Sequence, residues 1–133
     1  MTLTRRYRFS ASHRLDLATL SAGENRRLYG KCNNPYGHGH DYVLDITVEG
    51  RPDESGQIMR RDTMDALVAS RVLARLDHKD LNKDVPGLAN DVPTTENLAH
   101  EIRRLLTEGW AFASKLKSVR IAETAKNSFE LKI

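Results

Sequence analysis

Apolar and polar positions alternate from Leu3 to His13. Tyr7, Phe9 and Ala11 share one parity, and Arg6, Arg8 and Ser10 the other, which is the period-two pattern of a half-buried strand. The same alternation is cleaner from His38 to Val48. There His38, His40, Tyr42, Leu44, Ile46 and Val48 interleave with Gly39, Asp41, Val43, Asp45 and Thr47. Between the two lies a polar connection over 14–37, including Asn33-Asn34-Pro35-Tyr36-Gly37 and expected to be a long loop, functional or disordered.

Pro52 to Gly56 is a turn cluster, and Gln57 to Met59 a short extended piece. Asp62, with Asp65 three residues on, marks a helix start, and Met64, Leu67, Val68, Leu73 and Leu76 follow a helical stripe. Residues 77–90 read as irregular. Thr94 or Thr95 then caps a second helix carrying Leu98, Ile102, Leu105 and Leu106 at helical spacing. Two closing strands are expected, Leu116 to Glu123, with Val119 and Ile121 inward, and Ser128 to Ile133. The order ββααββ has no βαβ rhythm. It therefore predicts an α+β fold: an antiparallel four-stranded sheet with two helices on one face. Four strands leave open edges, which points to pairing with further copies of the chain.

Composition narrows the function classes. A chain of 133 residues is expected to form one domain over 1–133. The net charge of +3 is scattered over pairs such as Arg5-Arg6, Arg26-Arg27 and Arg60-Arg61 rather than gathered in a stripe, so no nucleic-acid partner is expected. A small anionic metabolite fits better. No apolar run suits a membrane span and no leader is read in Met1–Arg6, so no membrane partner is expected. One cysteine, Cys32, makes no internal disulfide, and the cytoplasm is the expected compartment.

Histidines supply the sharpest chemistry. His38 and His40, at i and i+2 of a strand, leave on one face, and the glycines around them remove bulk. If the first two strands pair, His13 meets them. Three neutral nitrogens with a fourth position open make a catalytic zinc site, whereas a structural site would need more cysteines. A merely polar strand end is the alternative.

Four further groups carry two readings each. Cys32, six residues before His38, is either a buried thiol or a base or nucleophile whose thiolate a nearby cation stabilises. Asp77-His78 is either an oriented proton shuttle or a polar helix terminus. Glu123 shares parity with Val119 and Ile121. It either pairs with Lys126 or accepts a two-donor edge from a ligand such as a guanine or pterin. His100 reads as surface or half-buried structure.

Several of these stretches together resemble the 6-pyruvoyltetrahydropterin synthase family over nearly the whole chain. They are Phe9-Ser10-Ala11-Ser12-His13-Arg14-Leu15, Leu28 through His40, Leu76-Asp77-His78-Lys79-Asp80-Leu81-Asn82, Thr94-Thr95-Glu96-Asn97 and Glu123-Thr124. The resemblance implies the tunnelling fold, with trimers closing a barrel and stacking into a homohexamer. It implies Zn2+ on His13, His38 and His40, Cys32 as proton-abstracting thiolate, and Asp77 with His78 as relay. Glu123 would anchor the pterin, with Thr94, Thr95 and Glu96 as helpers at its edge.

The implied substrate is 7,8-dihydroneopterin triphosphate and the product 6-pyruvoyltetrahydropterin, with Arg14 and Lys31 among cations suited to the triphosphate. A related branch, 6-carboxytetrahydropterin synthase of queuosine biosynthesis, takes the same substrate and releases acetaldehyde with triphosphate. The five residues between Cys32 and His38 resemble the pyruvoyl branch. A non-catalytic zinc or pterin binder is a third reading, against which the joint presence of Cys32, Asp77 and His78 speaks. Met59-Arg60-Arg61-Asp62-Thr63-Met64 departs from the family's usual entry to the first helix and leaves the packing there open.

Overall fold

The computed structural model describes residues 1–133. The two alternating stretches form β1 (Thr2–His13) and β2 (His38–Glu49), paired antiparallel along their full length. Their register sets His13 opposite His38 and Ala11 opposite His40, so the histidine-bearing ends of both strands coincide.

The segment expected to be a loop contains a helix, α1 (Ala22–Tyr29), continued by a 3₁₀ turn over Gly30–Asn33. Its apolar content is too low for a periodic signal. It is set instead by a capping box: the Ser21 hydroxyl accepts from the Glu24 amide, while the Glu24 carboxylate accepts from the Ser21 amide. Inside the connection, buried Asn25 donates to the carbonyls of Leu17, Leu20 and Ser21 and accepts from the Leu17 amide. These bonds do the work that an apolar face would otherwise do.

A second helix, α2, runs over Arg61–Val68, through a π-helical turn at Ala69–Leu73, to Ala74–Leu76. The unusual entry to α2 packs well. Met59 and Met64 are core residues, Arg60 pairs with Asp62, and Asp65 accepts from Arg5 and Tyr7. The Tyr7 phenol, half-buried and next to that carboxylate, is pushed up to about 12. The third helix, α3 (Thr95–Thr107), takes Thr94 as its cap and buries Leu98, Ile102, Leu105 and Leu106. The strands β4 (Lys115–Thr124) and β5 (Asn127–Lys132) close the chain.

The sheet departs from the expected four antiparallel strands with two helices. It has five strands in the order β3-β1-β2-β4-β5, mixed rather than antiparallel, and three helices accompany it. The added strand, β3 (Lys79–Asp80), lies parallel to Ala11 and Ser12 of β1. Two residues are too few to show alternation in sequence. Pairing arises because the end of α2 delivers the chain to the edge of β1, where the His78 amide donates to the Ser10 carbonyl and the Leu81 amide to that of Ser12.

One face of the sheet buries Phe9, Ala11, Tyr42, Leu44, Ile46, Leu116, Val119 and Ile121 against α2 and α3. Leu116 and Val119 both point inward because the register shifts between Thr47 and Val48, which inserts Lys117 as an extra residue. The opposite face is polar and charged. No helix of the structure is long and apolar enough to cross a membrane.

Candidate metal and substrate site

At one end of the sheet, next to the core, ligating atoms of His13, Cys32, His40 and Glu123 all lie within 4.8 Å of one another. Each arrives by a different route. His13 ends β1 and is buried. Its Nδ1–H donates to the Pro93 carbonyl at 2.9 Å, which fixes the tautomer and leaves the Nε2 lone pair facing the cluster. His40 leaves β2 on the same face, with Nε2 3.1 Å from that of His13.

Cys32 rides on the 3₁₀ turn after α1. Its carbonyl accepts from the Leu15 amide at 2.7 Å, and buried Asn33 beside it donates to the Leu15 carbonyl and to Asp16. Glu123, at the parity of the inward-facing Val119 and Ile121, lies at a register shift between Ala122 and Thr124. Its Oε1 is 2.6 Å from His40 Nε2 and 3.6 Å from His13 Nε2, while Oε2 accepts from Asn127. Lys126 is not its partner.

Gly37 makes the convergence possible. It sits at φ 83°, where L side chains are strained, and a Cβ there would stand 3.2 Å from the His13 carbonyl oxygen. The turn from Asn34 to Gly37 therefore passes flat against β1 before His38 starts β2.

The electrostatics favour a cation. Burial, partly opposed by the Pro93 bond and Glu123, lowers the basicity of His13; burial, partly opposed by Glu123, does the same for His40. Both imidazoles are held towards the neutral form that ligates. Burial, reinforced by the Glu123 charge, pushes the Cys32 thiol up, so its thiolate lacks a positive neighbour among these groups. The same burial, with Glu123 next, raises Tyr42. The two imidazole nitrogens, 3.1 Å apart, fit adjacent positions on a tetrahedral zinc, whose neighbouring nitrogen ligands stand about 3.3 Å apart. His/Cys/Glu is a donor set that zinc accepts.

The other expected residues fall around this group. The His38 ring lies 4.5 Å from that of His40, beside the four clustered atoms rather than among them. Thr94 and Thr95 follow Pro93, whose carbonyl holds His13. Thr95 is buried and donates to Glu96, which is exposed. Asp77 and His78 stand outside the cluster. Asp77 accepts from the Ser10 amide, and His78, at φ 59°, has an 81% exposed side chain with Nε2 3.7 Å from the Asp77 carboxylate. His100 is exposed on α3. Sequence reasoning had no signal for Asn33 and Pro93, because their role lies in backbone contacts across the fold.

The family model described as "6-pyruvoyl tetrahydropterin synthase" matches residues 2–132. The chain belongs to the 6-pyruvoyl tetrahydropterin synthase family. It is 45% identical over 126 residues to the 6-pyruvoyl tetrahydrobiopterin synthase of Poecilia reticulata, covering 94% of this chain and 85% of the relative. Its fold matches the solved structure of Caenorhabditis elegans 6-pyruvoyl tetrahydropterin synthase with a TM-score of 0.91 and 38% identity, covering 99% of this chain and 94% of the other. A putative 6-carboxy-5,6,7,8-tetrahydropterin synthase of Archaeoglobus fulgidus is 27% identical over 86% of this chain and 90% of its own. Within the family the chain is thus nearer the pyruvoyl branch, and it is an enzyme of the lyase type.

Proposed function

We propose that this chain is a zinc-dependent lyase converting 7,8-dihydroneopterin triphosphate to 6-pyruvoyltetrahydropterin with release of triphosphate. The observation that carries the proposal is the convergence of His13, Cys32, His40 and Glu123 in a chain of this family. The metal would be held by His13, His38 and His40, the His38 ring already lying against that of His40. Bound there, zinc supplies Lewis-acid polarisation of the substrate's side-chain hydroxyls.

Cys32 takes a proton from the carbon next to those hydroxyls. It needs a cation nearby to lower a pKa that burial and Glu123 raise in its absence. Glu123 presents a carboxylate to the two-donor edge of the pterin, and Thr94, Thr95 and Glu96 line that edge. Asp77 and His78 form the relay that returns the proton. With an exposed side chain that is not among the clustered groups of its own chain, His78 would serve the site of a neighbouring copy. Homo-oligomerisation, as a hexamer of two trimers, is supported by the open outer edges of β5 and of β1 before Ala11. One domain acting in the cytoplasm completes the reading.

The test is product identification by mass after incubation with 7,8-dihydroneopterin triphosphate and zinc. The pyruvoyl product is expected. Acetaldehyde with the carboxy product would move the chain to the other branch, and no turnover would remove the assignment. Light scattering on the eluting protein tests the hexamer.

A further inference from the structure

Two open clefts flank the histidine strand, and their charges are opposite. The larger, about 520 Å³, is lined on the face away from the helices by Asp41, Asp80 and Asp84 against Lys79 and His78. That lining repels a polyanion. The smaller, about 360 Å³, is lined by Arg26, Gly30, Lys31, Asn33, Asn34, Pro35 and His38, with two cations and no acid. Its walls include the residues on both sides of Cys32, and His38, whose ring touches that of His40. It therefore begins where the cluster ends.

We infer that this second cleft binds the triphosphate chain of the substrate and, after the reaction, the triphosphate product. The inference rests on the substrate assignment above. Arg26, on the last turn of α1, offers a planar fork that matches phosphoryl oxygens, and Lys31 adds a point charge at the other wall. Neither is engaged in an ion pair with an acid of the chain, so both charges are available to a ligand. Asn34, exposed on the rim, adds an amide to the polar wall. The volume lies within the range of about 300–1,000 Å³ usual for small-molecule sites. Arg14 does not line the cleft. Its guanidinium lies 3.5 Å from the Asp16 carboxylate, so of the two cations singled out in the sequence only Lys31 is retained.

The test compares the zinc-loaded wild type with a double variant, Arg26→Gln with Lys31→Gln, and with a control, Arg60→Gln with Arg61→Gln, that removes the same charge elsewhere. Inorganic tripolyphosphate is titrated calorimetrically into each and used as an inhibitor of turnover. In the cleft variant, tripolyphosphate affinity is expected to fall at least about tenfold and the KM for 7,8-dihydroneopterin triphosphate to rise similarly. Affinity for the unphosphorylated neopterin should stay within about twofold, and Lys31→Arg with Arg26 intact should retain binding. A fall of less than about threefold in tripolyphosphate affinity, or an equal fall in the control, overturns the inference. If the wild type binds tripolyphosphate in the cleft but turns nothing over, the substrate assignment fails while the anion site stands.

Discussion

Glu123 on β4 reaches across to His40 on β2, with Oε1 2.6 Å from the imidazole Nε2. The carboxylate is nearly buried; the Cys32 thiol also donates to Oε1, at 3.7 Å, and only the Asn127 amide to Oε2. A buried carboxylate so thinly satisfied is poised for a ligand's donors. Glu123→Gln is expected to keep stoichiometric zinc by elemental analysis while kcat/KM falls about 10–100-fold, the scale of a charge-assisted pair left unmade. Loss of zinc in this variant would make Glu123 a metal ligand instead.

The Cys32 backbone is held just past the end of β1 through its carbonyl, which accepts from the Leu15 amide, and this keeps the residue beside the cluster. Replacing the thiol would remove the proposed proton acceptor while leaving every imidazole in place. Cys32→Ala should lower turnover about 10²–10⁴-fold with zinc content and melting temperature near those of the wild type. Turnover within a few-fold of wild type would exclude the thiolate as base.

On the proposed assignment zinc would bind the folded chain and not the unfolded one, because His13 and His40 come together only through the β1–β2 pairing. Dialysis against a chelator should abolish activity and lower the melting temperature, and added zinc should restore both. His40→Ala should abolish stoichiometric binding and show no such recovery.

Asn33 is buried and its amide holds both Leu15 and Asp16, which positions Cys32 beside it. Asn33→Ala leaves those acceptors unpaired and should cost about 1–3 kcal/mol in denaturant unfolding. Activity at a temperature where the variant is fully folded should also fall, because the thiol is no longer held in place. Unchanged kcat there would make Asn33 purely structural.

On the opposite face Asp45 sits between Arg6 of β1 and Arg120 of β4, at matched register. The Arg6 hydrogen bonds, ahead of the Arg120 charge, hold its carboxyl below the usual carboxylate range. A carboxyl depressed in the folded state stabilises fully above its unfolded pKa of about 4, and this is lost as pH falls through the lower folded value. Asp45→Asn should therefore cost about 1 kcal/mol at pH 7, and the gap to wild type should close in acid unfolding below about pH 4. A constant gap across that range would rule out the charge as the cause.

Much of the site's raw material was legible in the chain. Strict alternation marks β1 and β2, and strand parity alone puts His38 and His40 on one face and turns Glu123 towards the covered side. The Ser21–Glu24 spacing was also a readable cap, although the polar composition around it concealed α1. Other features were not local. β3 has only two residues and exists because β1 offers an unpaired edge, and Asp77-His78 was directed outward by the φ 59° turn that this pairing imposes.

What the sequence by itself determined is which side chains share a face, since a period of two is a property of the extended backbone and needs no partner. Only the tertiary structure decided which faces meet. The β1–β2 register, the bulge at Glu123 and the Leu15–Cys32 bond bring together residues as far apart in sequence as His13 and Glu123. Such contacts follow from closing loops and burying a common core, and no local pattern encodes that closure.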